Sequence, residues 1–240
     1  MKRTLYFVMA LALVLGLSQC KKEQPATPQN GQVRITLNVE NGGNNGSRVN
    51  VDPTTSPMVT FEKGDKILVG YNGVYVGTLT HNGTQFEGSI DATQNGDQPL
   101  YFYFVGNKQG TLEAGATSCT VSISDQTHEL PVISMAPSNE YYPSEGNAYS
   151  ASLHNKCSLM KFNVTTPSTA AICIIGMNNT VMVNFGEPTE ENYGFTYGMD
   201  GVGLIKMPAK DADNVTWAIV LPQAALEEGE EGSAYTEAPS

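Results

Sequence analysis

The side chains in this chain that could do chemistry are few, and their spacing does not bring them together. His81, His128 and His154 fall in three separate segments, and no pair has metal-ligand spacing, so each reads as a surface or strand-end residue. Asp211-Ala212-Asp213-Asn214 shares the alternating oxygens of a calcium loop. It lacks that loop's glycine and distal glutamate, and reads as a turn between strands, as do the residues between Asp91 and Asp97. There is no Gly-x-Ser-x-Gly elbow, no phosphate loop and no zinc pattern. Cys119, Cys157 and Cys173 each sit in an apolar run (SCTVSIS, CSLMKFNV, AAICIIGM), which marks buried thiols more than nucleophiles. Their odd number leaves at least one unpaired even in an oxidising compartment, and a Cys157–Cys173 disulfide between neighbouring strands is the alternative. The expectation is a protein that is not an enzyme and uses no metal or cofactor.

The fourth cysteine has a different setting. Met1-Lys2-Arg3 is a basic start, and Leu5 to Leu17 is an apolar run of 13 residues, short of the roughly 20 needed to cross a bilayer as a helix. The run ends in Leu17-Ser18-Gln19-Cys20, which resembles the lipobox of bacterial lipoproteins, where the thiol is diacylated and becomes the mature N-terminus. Gln19 stands where Ala or Gly is usual. The polar stretch Lys21 to Gly31 (KKEQPATPQNG) suits a disordered tether behind an acyl anchor. Lys21, rather than Asp, after the cysteine resembles lipoproteins exported onward to the outer membrane. Lipidation at Cys20 and attachment at the cell surface or in a fimbrium are therefore expected.

The elements that position these residues read as strands. Gly 24 and Pro 13 with only 15% charged residues favour short strands and turns over helices, and 40% hydrophobic content can fill a core. Gln32 to Glu40 alternates cleanly, with Val33, Ile35, Leu37 and Val39 on one face. From Val59 to Val105 the chain reads as short strands split by turns. Asn72-Gly73 is a strong hairpin signal, and Leu100 to Val105, apolar on both faces, reads as a central strand. Further strands are expected through Val215–Leu221. The organisation this implies is a leader at 1–20, a tether at 21–31, a β-sandwich domain at 32–137, a linker at 138–147 and a second sandwich at 148–240. Only Gln223 to Glu228 has helical character. The net charge is −11, and losing Lys2 and Arg3 with the leader leaves 11 basic against 24 acidic side chains, or −13. So acidic a surface repels phosphate backbones, which argues against nucleic acid as a partner.

Asn41 to Ser47 (NGGNNGS) is a flexible loop, and Arg48 at its end reads as a solvated residue or as an accessible protease site. Phe61-x-x-Gly64-Asp65-x-Ile67, with its Gly-rich hairpin, Phe86-x-Gly88-x-Ile90 and aromatic strand, adds a pattern to the lipobox and the Arg48 loop. Asn155 to Phe162 and Val215 to Pro222 add two more. Together they resemble the fimbrillin family, the lipoprotein-derived pilus subunits and related surface adhesins of anaerobic Gram-negative bacteria. The resemblance implies an all-β protein of two tandem Greek-key, transthyretin-like β-sandwich domains. It also implies assembly with other fimbrillin-type subunits by strand exchange, in which an Arg-specific protease cuts after the first strand, here after Arg48. That family's second domain normally continues through further strands beyond Leu221, including the donor, whereas this chain stops at Ser240. It is expected to be the front part of a longer protein, or to hold an incomplete second sandwich that needs a partner. The rival expectations are an uncleaved glycan- or peptide-binding surface module, with Tyr101, Tyr103, Tyr141 and Tyr142 as a platform for a host or bacterial surface ligand, and an N-terminal adaptor of a longer protein.

Overall fold

Where apolar and polar residues alternate, the backbone is extended and one face is buried. In the computed structural model this rule gives an all-β sandwich. The structure describes residues 31–39, 50–51, 59–92, 96–128, 130–136, 141–165, 171–185, 194–197 and 202–222. Among them the strands are β1 (Val33–Val39), β2 (Asn50–Val51), β3 (Val59–Thr60), β4 (Lys66–Tyr71), β5 (Val74–His81) and β6 (Phe86–Ile90). They continue with β7 (Leu100–Val105), β8 (Ser118–Ser122), β9 (Ile133–Ala136), β10 (Ala148–Ala151), β11 (His154–Asn155) and β12 (Ser158–Asn163). The last are β13 (Cys173–Asn178), β14 (Thr180–Asn184), β15 (Phe195–Tyr197), β16 (Val202–Lys206) and β17 (Val215–Val220), and a single 3₁₀ turn spans Pro143–Glu145.

The main sheet has the order β10-β1-β6-β5-β4-β7-β9-β11. Strands β4, β5 and β6 follow one another as hairpins and β7 returns beside β4, which is Greek-key connectivity. Asn72 and Gly73 close the β4–β5 hairpin with φ of 49° and 83°. These are the two left-handed positions that a type I′ turn requires. Five inter-strand steps separate β10 from β7, about 24 Å in a flat sheet. Yet the rings of Tyr149 on β10 and Phe102 on β7 are 6.1 Å apart. The sheet must therefore curl until β10 comes over β7, around a core of Val33, Ile35, Leu37, Ile67, Leu79, Phe86, Phe102 and Phe104, all buried.

Strand β7 explains the second layer. Its six residues are all buried, because both of its faces are covered. Leu100, Phe102 and Phe104 point into the curl, while Tyr103 packs edge-on against Phe185 and Phe195 at 5.7 and 5.8 Å. These rings belong to the layer of β15-β14-β8. Gly70 on β4 lets that layer approach, since a Cβ there would sit 3.2 Å from the Phe185 carbonyl oxygen. Pairing crosses the 138–147 stretch in both directions. Residues 148–151 form β10 and extend the first sheet beside β1, and residues 154–155 form β11 at its other end. From the first half, β8 pairs with β14. Two further ladders, β12 with β17 and β13 with β16, complete the second half.

The Phe61-x-x-Gly64-Asp65 pattern is a folding staple. Asp65 is buried, and its carboxylate accepts from the Glu62 backbone N–H at 2.5 Å and from Asn107 Nδ2 at 3.0 Å. Gly64 takes φ of +103°, and its N–H donates to the His81 carbonyl. Phe61 meets Phe86 and Phe104 edge-on at 4.9 and 5.2 Å. The motif fastens the start of β4 to β5 and β6, and its chemistry is structural.

Candidate assembly and adhesion surfaces

The first strand is held like a removable stave. On one side β1 pairs antiparallel with β6, from Val33 opposite Ile90 to Leu37 opposite Phe86. On the other it pairs parallel with β10, from Thr36 opposite Ala148 to Val39 opposite Ala151. Val33, Ile35 and Leu37 face the core, with exposures of 6%, 0% and 0%. Its outer face carries Arg34, which bridges Glu87 at 3.0 Å. A chain lacking β1 would expose two open strand edges above a row of apolar pockets spaced at every second residue, the arrangement that accepts an added strand. Arg48 and Cys20 both lie outside the described residues.

The other residues with chemical potential resolve into structure. Cys119, Cys157 and Cys173 are all free thiols, buried, half-buried and exposed respectively, so no Cys157–Cys173 disulfide forms. The Cys157 sulfur lies against the Ile133 peptide, accepting from its N–H at 3.4 Å, and burial pushes this thiol up to about 11. Cys173, expected in a buried run, is solvent-facing because β13 turns Ile174 toward the core and leaves Cys173 and Ile175 on its outer face. His128 and His154 are exposed, while the His81 ring packs on Phe86 at 4.8 Å. Asp211 caps its own turn, its Oδ1 accepting from the N–H groups of Asp213 and Val215 at 2.9 and 2.8 Å, with Asn214 at φ of 62°. Asp91 accepts from Gln32 Nε2 at 2.9 Å, and Asp97 is exposed. Among the described residues no group of three or more His, Cys, Asp or Glu side chains could hold a metal ion.

The tyrosine platform considered from sequence does not form. Tyr101, Tyr103 and Tyr141 are buried and Tyr142 is half-buried, because β7 is covered on both faces and Tyr141 closes against Phe102 at 5.3 Å. Burial raises the Tyr103 hydroxyl's pKa well above its ordinary value, and that hydroxyl donates to the Asn184 carbonyl at 3.3 Å. Sequence reading also passed over Gln126, which is 0% exposed. Its Nε2 donates to the carbonyls of Ile123 and Ile219 at 3.1 and 2.8 Å, and its Oε1 accepts from Ile219 N–H at 2.8 Å. One side chain thereby serves as a strand neighbour for β17, 93 residues away in sequence. A glutamine between Asp125 and Thr127 carries no local signal of that role.

The second half also presents apolar side chains to solvent. Ile175 on β13 is 79% exposed and stands directly opposite Leu204 on β16, itself 39% exposed. On β12, Met160 is 41% exposed, and Lys161 lies over the Trp217 ring at 5.5 Å. Among the described residues no helix is long and apolar enough to cross a membrane.

No known family profile and no curated protein matches the sequence. Solved structures do match the fold. A candidate cell adhesion protein from Bacteroides uniformis ATCC 8492 aligns with a TM-score of 0.51 at 15% identity, over 83% of this chain and 77% of that one. The tip fimbrial protein Mfa3 from Porphyromonas gingivalis, with a C-terminal truncation, aligns with a TM-score of 0.37 at 9% identity, over 79% and 69%. The second likeness is too slight to carry an argument. The first is a likeness of fold, and at that level it agrees with the expected all-β architecture.

Proposed function

We propose that this chain is a non-enzymatic, lipid-anchored surface protein of fimbrillin type, acting as a pilus subunit or pilus-associated adhesin. The observation that supports this reading best is the setting of β1. It is a seven-residue strand with its apolar face in the core and a neighbour on each side, and the Asn41–Arg48 segment follows it. In this reading Cys20 is acylated and tethers the protein to the outer membrane. A protease then cuts after Arg48, and the strand is exchanged for one from a fimbrillin-type neighbour.

Cutting alone does not empty the groove. Three buried aliphatic side chains hold β1, each worth about 1.5–3 kcal/mol of burial, so the severed strand stays until a competitor arrives. What the cut removes is the covalent link that keeps β1 at high effective concentration beside its groove. A donor strand tethered to an incoming subunit then has the advantage. The likeness to a candidate adhesion protein, which is one of fold, fits this reading.

The deciding experiment is the N-terminal mass of the mature protein from its native outer membrane. A new terminus at Val49 without lipid supports strand removal and polymerisation. An acylated Cys20 with Arg48 intact supports a permanently anchored adhesin or pilus base and rejects exchange. A terminus bearing no lipid at Cys20 and no cut at Arg48 sinks both branches.

A further inference from the structure

Where the second layer stops short of the first sheet, the outer face of the β4–β5 hairpin stays open as a cleft of about 590 Å³. That size lies within the roughly 300–1,000 Å³ of small-molecule sites. Its floor follows from register: Lys66 stands opposite Thr80 and Leu68 opposite Thr78, so all four side chains share one face. Tyr75 closes one end, its hydroxyl 2.7 Å from Thr78 Oγ1. The far wall is the segment Gln109–Leu112, which adds an amide, the Thr111 hydroxyl and an aliphatic side chain.

The wall is held in place at both ends. Asn107 Oδ1 accepts from the Lys66 N–H at 3.0 Å while its Nδ2 donates to Asp65. At the other end Tyr75 N–H donates to the Ala116 carbonyl at 2.7 Å, and Gly115 N–H donates to the Tyr75 carbonyl at 2.9 Å. The cleft is therefore built before any ligand arrives. Its chemistry is a set of hydroxyls and an amide over aliphatic and aromatic surface, with one ammonium and no carboxylate among the lining residues. On a protein of net charge −11 that local balance is distinctive. The Gln109 Oε1 atom is buried with no hydrogen-bond partner. A desolvated acceptor of this kind is costly until it meets a donor, and a turn of the amide toward a ligand hydroxyl in the cleft relieves the cost.

We infer that the cleft binds a carbohydrate carrying a carboxylate. Sugar hydroxyls would exchange hydrogen bonds with Thr78, Thr80, Thr111 and Gln109, the C–H face of the ring would rest on Tyr75 and Leu112, and Lys66 would meet the carboxylate. The pair of carboxyl groups usual in glycoside hydrolysis is not among the residues lining the cleft. The inference deepens the adhesin reading and rests on it for access to glycans at a cell surface.

The test uses the full chain and two probes, a tetrasaccharide of alternating glucuronate and N-acetylglucosamine and a neutral tetrasaccharide of glucose, followed by calorimetry and NMR. Binding of the uronate probe is expected, with shifts at Thr78, Thr80 and Thr111. Lys66→Gln should weaken it about fivefold, the scale of one exposed ion pair. Thr80→Trp, which fills the cleft from an exposed strand position, should abolish it. Failure of the uronate probe to bind, preference for the neutral probe, or wild-type affinity in Thr80→Trp overturns the inference. Cell adhesion separates it from the broader reading. If Thr80→Trp cells still adhere while cells lacking the protein do not, the cleft fails and the adhesin stands. If cells lacking the protein adhere normally, the adhesin reading fails, whatever the purified protein binds.

Discussion

Replacing Gln126 by Leu, which keeps the side chain's approximate size, would test how the two halves of the chain are joined. The wild-type amide makes three hydrogen bonds to backbone in a fully buried site, two of them to the N–H and C=O of Ile219. Leucine leaves both Ile219 groups dry and unpaired on that side. Each such group costs about 1–3 kcal/mol, so the variant should lose about 2–6 kcal/mol. Proteins of this kind hold about 5–15 kcal/mol in all, so the loss is large. With a urea dependence of about 1–3 kcal/mol per molar, the midpoint should fall by roughly 2 M. Hydrogen exchange gives an independent reading, because the Ile219 amide should lose protection while amides in the β4–β5 hairpin keep theirs. An unfolding free energy within about 0.5 kcal/mol of wild type, the noise of surface substitutions, with the Ile219 amide still protected, would refute the account.

Three further outcomes follow. Leu37→Ala should cost about 2–5 kcal/mol, because Leu37 is fully enclosed between β1's neighbours, whereas Asn38→Ala on the same strand should stay within about 0.5 kcal/mol; chemical denaturation of the pair compares them directly. Maleimide labelling followed by intact mass should modify exposed Cys173 first and reach Cys119 and Cys157 only on unfolding. Burial moves Cys157 from 9.0 to about 11 by disfavouring its thiolate. Its contribution is therefore complete below pH 9 and lost as pH rises through 11, and the urea midpoint should fall across that window less steeply in Cys157→Ala than in wild type.

Local pattern carried most of the secondary structure. The alternation in Gln32–Glu40 became β1 with its apolar face buried, Asn72-Gly73 became the left-handed pair of a hairpin, and the doubly apolar run Leu100–Val105 became a central strand covered on both faces. Such features depend on side-chain period and turn conformation, which a dozen residues specify on their own. The Asp211 turn was legible for the same reason, since its hydrogen bonds reach only to Asp213 and Val215.

Long-range features were not legible. Cys173 sits in a run as apolar as that of Cys119, yet one thiol faces solvent and the other the core, because packing turns Cys119 to the inward face of β8 and Cys173 to the outward face of β13. Tyr101 and Tyr103 looked like a binding platform until the second layer covered them. The cleft over β4 and β5 is polar by register alone, with Lys66, Thr80 and Thr78 brought to one face by cross-strand pairing and roofed by a loop more than 25 residues further on. From sequence came the strands, the turns and an expected anchor at Cys20. Which strand lies beside which, and therefore which polar side chains share a surface, was decided by tertiary structure. Pairing across 90 residues or more depends on burial summed over the whole core, and no local window records that sum.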